Sequence, residues 1–292
     1  MNHTGFGDRL FDVLIYTVLT ALMIVTLYPL LYVTFASFSE PGQLIAHKGA
    51  LLRPLGFSLE AYKSVFKNPG ILTGYRNTLF ILVVGVTINL FMTSLGAYVL
   101  SRKQVMWNKL FIFFIVFTMF FHGGLIPFYL VVKGVGLIDN LLATIIPFAI
   151  NTFNLIIMRT AFMAVPDSLE ESAKMDGANH FTILFRIILP LSMPVIAVMI
   201  LYYAVEKWNG WFYASIFIKD RDLFPLQLTL REILIANSTD SMAEGAAAAD
   251  RHQIGETIKY ATIMVASVPI LCVYPFVQKY FVKGVMIGAL KG

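Results

Sequence analysis

Charge is scarce in this chain: only 13% of its 292 residues are Asp, Glu, Lys or Arg, while 58% are hydrophobic. A soluble domain carries about 25% and 45–50% of these classes. With a mean hydropathy of +0.75, the shortage excludes a soluble globular enzyme, and the apolar content excludes disorder. A single cysteine, Cys272, excludes an internal disulfide. No Gly-x-x-x-x-Gly-Lys-Ser/Thr loop occurs, so the chain cannot hold ATP phosphates by that route. The five histidines, at 3, 47, 122, 180 and 252, never approach metal-ligand spacing. No nucleophile with a base at hand emerges, and no internal repeat is visible. The net charge of +5 in so apolar a chain speaks to membrane topology, not to nucleic acid.

What is present in quantity is long charge-free runs. Six lack any Asp, Glu, Lys or Arg: 13–38, 77–101, 110–132, 140–158, 187–205 and 260–278. Each comes close to the roughly 20 helical residues needed to cross about 30 Å of hydrocarbon. Backbone polar groups inside a span must be satisfied within it, so each run is predicted to be a helix. Prolines 29, 127, 147, 269 and 275 fall inside runs and predict kinks. The expected fold is an all-α membrane protein of six transmembrane helices. Two parts are expected: 1–76, a helix and an outer loop, and 77–292, the main transmembrane body.

Six spans put both termini on one side. With the termini cytoplasmic, the inner segments 1–12, 102–109, 159–186 and 279–292 hold ten of the 22 basic residues in a shorter total length than the outer loops. Density therefore favours termini inside. Trp107, Trp208 and Trp211 fall at predicted interfaces, where amphipathic rings concentrate. The last outer loop, 206–259, mixes aromatic stretches with a low-complexity, alanine-rich piece at 243–250.

The inner loop 159–186 carries the most structured signal. Ser168 followed by Glu171 spells a capping box, with Asp167 and Glu170 one residue earlier. Gly177 supplies a left-handed residue to end such a helix. Phe181, Leu184, Phe185 and Ile188 then recur at helical spacing, and Pro190 and Pro194 close the second helix. A short capped helix so framed is a mechanical lever that a soluble partner could hold.

Polar residues inside the runs are pathway candidates: Asn89, Thr93, His122, Asn151 and Asn154, with Trp208 and Asn209 where the fifth run ends. Asn151 and Asn154, three apart, are expected to share a helix face. The alternatives are interhelical hydrogen bonding for the amides and interfacial anchoring for Trp208. His122 has no acidic partner in any run, so proton coupling has little support.

The residues Glu171-Ser172-Ala173, three more, Gly177, nine more, then Ile187-Ile188-Leu189-Pro190 resemble the signature of permease subunits of binding-protein-dependent ABC importers, Glu-Ala-Ala, x3, Gly, x9, Ile-x-Leu-Pro. Only Ser172 departs from it. Phe121 to Pro127, Gly134 to Leu137, Met158-Arg159-Thr160, Lys207-Trp208-Asn209, Pro225-Leu226-Gln227 and the tail from Tyr280 to Gly292 are similar to carbohydrate permeases of the maltose-transporter type. The likeness is greatest to the Gram-positive branch that takes up complex oligosaccharides, and it covers essentially the whole chain.

The resemblance implies a type I importer permease (MetI-like) fold and a non-catalytic, multi-pass subunit of the cell membrane. It implies a coupling helix at Glu170, Glu171, Ser172, Ala173, Asp176 and Gly177 that docks on a separate ATPase, with Lys291 and Gly292 as a second contact. It also implies a second, homologous permease, a cytoplasmic ATPase dimer that binds the ATP and magnesium, and an extracellular solute-binding protein. Two rivals are weighed. A stand-alone secondary sugar carrier is disfavoured by the missing repeat and missing membrane charges, and a membrane-embedded enzyme by the missing acid, base or metal cluster.

Overall fold

The computed structural model describes residues 6–235 and 257–273 together with 255 and 275, and every described element is helical apart from one isolated bridge, Ser39 to Phe57. The alanine-rich piece at 243–250 and the tail residues Lys291 and Gly292 lie outside the described residues. The chain groups into two compact units, one within Met1–Pro69 and Glu232–Pro269, the other within Gly70–Arg231 and Ile270–Gly292.

In the first unit, α1 (Phe6–Ser37) is apolar on every side, and none of its residues from Leu10 to Val25 is buried. A helix hydrophobic all round and unpacked is solvated by lipid. Its threonines do not break that surface: Thr17, Thr26 and Thr34 each donate their hydroxyl to the carbonyl four residues back, at 2.7–2.8 Å. After α1 come α2 (Pro41–Ala46) and α3 (Glu60–Lys67). Ala36, Leu44 and Leu51 form a small core with Tyr32 and Tyr260, and the Ser37 and Tyr62 hydroxyls pair at 2.8 Å.

The second unit is built on α4 (Pro69–Ser101), the longest helix described. Small residues let other segments approach closely. A methyl group on Gly74 would meet the Leu226 backbone at 3.0 Å, and one on Gly85 would meet the Lys207 stem at 3.3 Å. Close approach at small residues is how membrane helices pack without a hydrophobic drive between them.

Three of the expected spans are broken. The run 110–132 becomes α5 (Asn108–Phe120) and α6 (Leu125–Gly134), bent by 114°. Phe121 is extended and Gly124 sits at φ +87°, a conformation that costs little only without a Cβ. The run 140–158 opens with two 3₁₀ turns, Leu141–Thr144 and Ile146–Phe148, the second containing Pro147, then turns by 47° into α7 (Thr152–Met163).

After α7, α8 (Asp167–Met175) is followed by α9 (His180–Ile183), a π turn (Leu184–Ile188) and the short α10 (Leu189–Leu191). An 88° bend at Ser192 leads into α11 (Met193–Trp208). Pro190 has no N–H to donate to the preceding turn, and the widening falls just upstream, where the Leu189 N–H bonds to the Leu184 carbonyl, five residues back. The remaining helices are α12 (Phe212–Phe217), α13 (Leu226–Ile235) and α14 (Thr257–Val273). Among the described residues, α1 and α4 are each long and apolar enough to cross a membrane, and up to five spans result if each bent pair counts as one.

Candidate functional site

The candidate site is the short helix of the 159–186 loop and the bundle that holds it. α8 begins differently from the sequence expectation: Pro166 occupies the N-cap and Asp167 opens the helix, so Ser168 and Glu171 form no capping box. Proline fits there because the first turn's N–H groups are unpaired in any case. The other end follows the expectation closely. Gly177 sits at φ +80°, its N–H donates to the Lys174 carbonyl at 3.0 Å, and the Ala178 N–H donates to the Ala173 carbonyl at 2.9 Å. Together these make a complete Schellman ending, which fixes where the helix stops.

The signature residues divide by burial. Glu171, Ser172, Asp176 and Gly177 are exposed, whereas Ala173 is buried against the bundle. Glu170 is also buried, at 6% exposure, and faces inward. Its carboxylate forms an ion pair with Arg102 at the end of α4, a second with Lys174 at 2.9 Å, and receives the Tyr98 hydroxyl at 3.5 Å. Burial alone would push the Glu170 carboxyl up, but the Lys174 hydrogen bond and the Arg102 charge outweigh it and hold it below the usual carboxylate range. Asp167, exposed at the start of α8, is held low by its hydrogen bond from Lys103 at 2.9 Å.

Around this pair the bonding extends to two further elements. Arg102 donates to the Phe162 carbonyl of α7 at 3.1 Å and lies 5.1 Å from the Tyr98 ring centroid. The Tyr98 hydroxyl pairs with Nδ1 of His180, at the start of α9, at 3.0 Å. Sequence reasoning missed Tyr98, Arg102 and His180. The basic stretch 102–109 read as orientation charge, yet Arg102 and Lys103 are both neutralised by α8. A pocket of about 490 Å³ opens beside them, with Val105, Phe181 and Leu184 on its apolar side.

The pathway candidates are only partly brought together. Thr93 and Tyr203 pair their hydroxyls at 2.7 Å, and the Asn151 N–H donates to the same Tyr203 oxygen at 3.3 Å. Asn151 and Asn154 come together at the start of α7: Asn151 is its N-cap and its Oδ1 accepts the Asn154 N–H at 3.3 Å, just after the 3₁₀ turn that ends at Phe148. Both line a pocket of about 380 Å³. Asn89 is fully buried, donating to the Phe148 carbonyl while its Oδ1 has no partner among the described residues. His122 is exposed in the link between α5 and α6, away from the other candidates' hydrogen bonds.

Trp208 corrects the interfacial reading. It is 7% exposed, packs edge-on against Tyr75 at 6.3 Å, and its Nε1 has no partner among the described residues. Asn209 caps α11, donating to the Val205 carbonyl at 2.9 Å. The helix also continues past the expected end at 205, which carries Lys207 into the protein at 6% exposure. Its Nζ donates to the Thr144 carbonyl at 3.1 Å and lies 5.5 Å from the Phe148 ring centroid. The absence of charge from the runs therefore did not extend to the bundle interior.

The described elements form an all-helical bundle with apolar helices that suit a membrane and one rigid helix exposed on a loop. The chain belongs to the family described as binding-protein-dependent transport system inner membrane component, whose model matches residues 1–287. It is 42% identical over 287 residues to the polygalacturonan/rhamnogalacturonan transport system permease protein YtcP of Bacillus subtilis, covering 98% of this chain and 99% of that one. It is likewise 42% identical over 292 residues to protein LplC of Bacillus subtilis, covering 100% and 98%. Among solved structures, a bacterial ABC transporter involved in the import of the acidic polysaccharide alginate matches at 33% identity with a TM-score of 0.87, covering 96% of this chain and 100% of that one. The protein is thus a non-catalytic, multi-pass membrane permease subunit of an ABC importer with the MetI-like fold, and ATP hydrolysis belongs to separate ATPase subunits.

Proposed function

We propose that this permease conducts acidic, uronate-containing oligosaccharides into the cell. It pairs with a second homologous permease, docks on a cytoplasmic ATPase dimer that binds ATP and magnesium, and receives cargo from an extracellular solute-binding protein. Both termini are cytoplasmic, residues 1–76 are a transmembrane helix and outer loop, and 77–292 are the importer transmembrane domain, with 159–186 as the coupling loop and 206–259 facing outward. The observation that carries this reading is α8, which ends on Gly177 in a Schellman turn and exposes Glu171, Ser172 and Asp176. A helix exposed in this way offers a fixed surface for a soluble partner, and ATP-driven movement of that partner would shift packed helices as rigid bodies. Lys291 and Gly292 supply a second contact in the same assembly. Asn89, Thr93, Asn151, Asn154, His122, Trp208 and Asn209 are the pathway candidates, of which Thr93 and Asn151 meet at one tyrosine. The cargo assignment is supported by the relatives named for polygalacturonan, rhamnogalacturonan and alginate transport.

Expression of the permease with its neighbouring transport genes, followed by affinity purification and an uptake assay with labelled trigalacturonate, tests the reading. It expects a soluble ATPase in the eluate and ATP-dependent uptake. An eluate without any ATPase would end the importer assignment. Uptake of neutral but not acidic oligosaccharides would end the cargo assignment alone.

A further inference from the structure

Apolar packing does little to hold α8. Ala173 is its buried hydrophobic residue, while Leu169 is 42% and Met175 88% exposed. The helix is held by polar contacts, and they converge on the end of one other helix. Tyr98 of α4 and Arg102, the first residue past its end, reach Glu170, and Lys103 in the following turn reaches Asp167. Through Arg102 to the Phe162 carbonyl and Tyr98 to His180, the same cluster also ties in α7 and α9. A buried ion pair with its remaining hydrogen bonds satisfied is a geometrically demanding contact. It contributes orientation even where its net stabilisation is small.

From this arrangement we infer that Arg102 and Glu170 are positioning residues that lock α8 to α4, so that displacement of α8 by an ATPase moves α4 directly. Glu170, which the signature alone would assign to the docking face, acts inward. The consequence for α4 matters because that helix also carries Asn89 and Thr93. Movement then reaches the pathway candidates along one rigid helix and bypasses the bends at Gly124 and Ser192. The inference rests on the permease reading above.

The test uses the assembled transporter in lipid nanodiscs. Spin labels are introduced by M92C on α4 and M175C on α8, two exposed positions, in a C272S background. In the otherwise native protein the distance distribution between them is expected to be narrow and the same without nucleotide and after ATP–vanadate trapping. E170Q or R102M broadens it, the double variant is no broader than either single one, and R102K lies between. In proteoliposomes these variants keep hydrolysing ATP, while trigalacturonate uptake per ATP falls about tenfold, the size of effect that one coupling contact can carry. A distance that changes on trapping in the native protein overturns the inference. So does an undisturbed distribution in E170Q, additive behaviour of the pair, or unchanged uptake per ATP. If E170Q fails to insert, Y98F removes only the hydroxyl contacts to Glu170 and His180 and is held to the same distance criterion. Failure of the permease reading is distinguishable, since it would leave no ATPase associated with the unmodified chain.

Discussion

The hydroxyls of Thr93 and Tyr203 lie 2.7 Å apart with both residues at 0% exposure, and the Tyr203 oxygen also accepts the Asn151 N–H. One phenol therefore joins the middle of α4, the end of α11 and the start of α7. Tyr203→Phe leaves the buried Thr93 hydroxyl and the half-buried Asn151 N–H without that partner, which costs about 1–3 kcal/mol. The detergent-solubilised protein should lose several degrees in thermal midpoint, and the double change Y203F/T93V should lose less than the sum of the single changes. Additive losses would show that the three groups are not one network.

Gly177 makes a second expectation quantitative. No atom lies within 4 Å of where its Cβ would point, so a substitution there meets no steric obstacle. The cost comes from the backbone alone, because φ is +80°. Gly177→Ala should weaken the end of α8 by about 1–2 kcal/mol, and Gly177→Asn by less, since asparagine visits the left-handed region more readily. Hydrogen exchange at the Gly177 and Ala178 amides measures this directly. Equal exchange in the alanine and asparagine variants would contradict a conformational cause.

The pH dependence of α8 follows from two depressed carboxyls. Glu170 and Asp167 both titrate below their ordinary values. A group whose folded pKa is lowered contributes stability that is complete above its unfolded pKa, about 4 here, and is lost as pH falls through the folded value. The attachment of α8 should therefore be constant from pH 8 to about 5 and loosen only below about 4. Lys103–Asp167 is exposed and should respond to salt as well. Amide exchange across 167–178 as a function of pH reads the window, and loosening already at pH 6 would point to another group.

Lys207 offers the fourth. Among the described residues it has no ion-pair partner, and its Nζ is buried against one carbonyl and one aromatic ring. Keeping an ammonium there is expensive, whereas its stem packs well against Gly85. Lys207→Met keeps the stem and should leave the thermal midpoint unchanged or higher. Lys207→Glu would place a carboxylate against the Thr144 carbonyl and beside Glu206, and should reduce membrane accumulation severely. A methionine variant that unfolds more easily than the native protein would show that the charge itself is required.

What the sequence made legible was whatever depends on local pattern. The charge-free runs located the apolar helices, and Gly177 located the end of α8 because only one residue type suits that backbone. The breaks were less visible. His122-Gly123-Gly124 lies inside an unbroken apolar run, and hydropathy has no term for a 114° turn. The capping box failed because Pro166 claimed the N-cap from Ser168, a competition between two signals two residues apart. The contact of Arg102 with Glu170 spans 68 positions of chain, and neither residue's neighbours announce it. The spacing of three between Asn151 and Asn154 belongs to a cap and its N3 position as well as to a helix face, and pattern alone does not show that α7 begins there.

The π turn at 184–188 has a bearing on how this region is compared with related chains. A π turn holds one residue more than an α turn for nearly the same rise, so everything after it is rotated by about 100° relative to an uninterrupted helix. A helical wheel drawn straight from His180 to Leu191 would therefore assign the last residues to the wrong side. A sequence one residue shorter between Leu184 and Ile188, closed as an ordinary α turn, would keep the residues after it on the same side. The π turn thus absorbs one residue without disturbing the isoleucine, leucine and proline that follow.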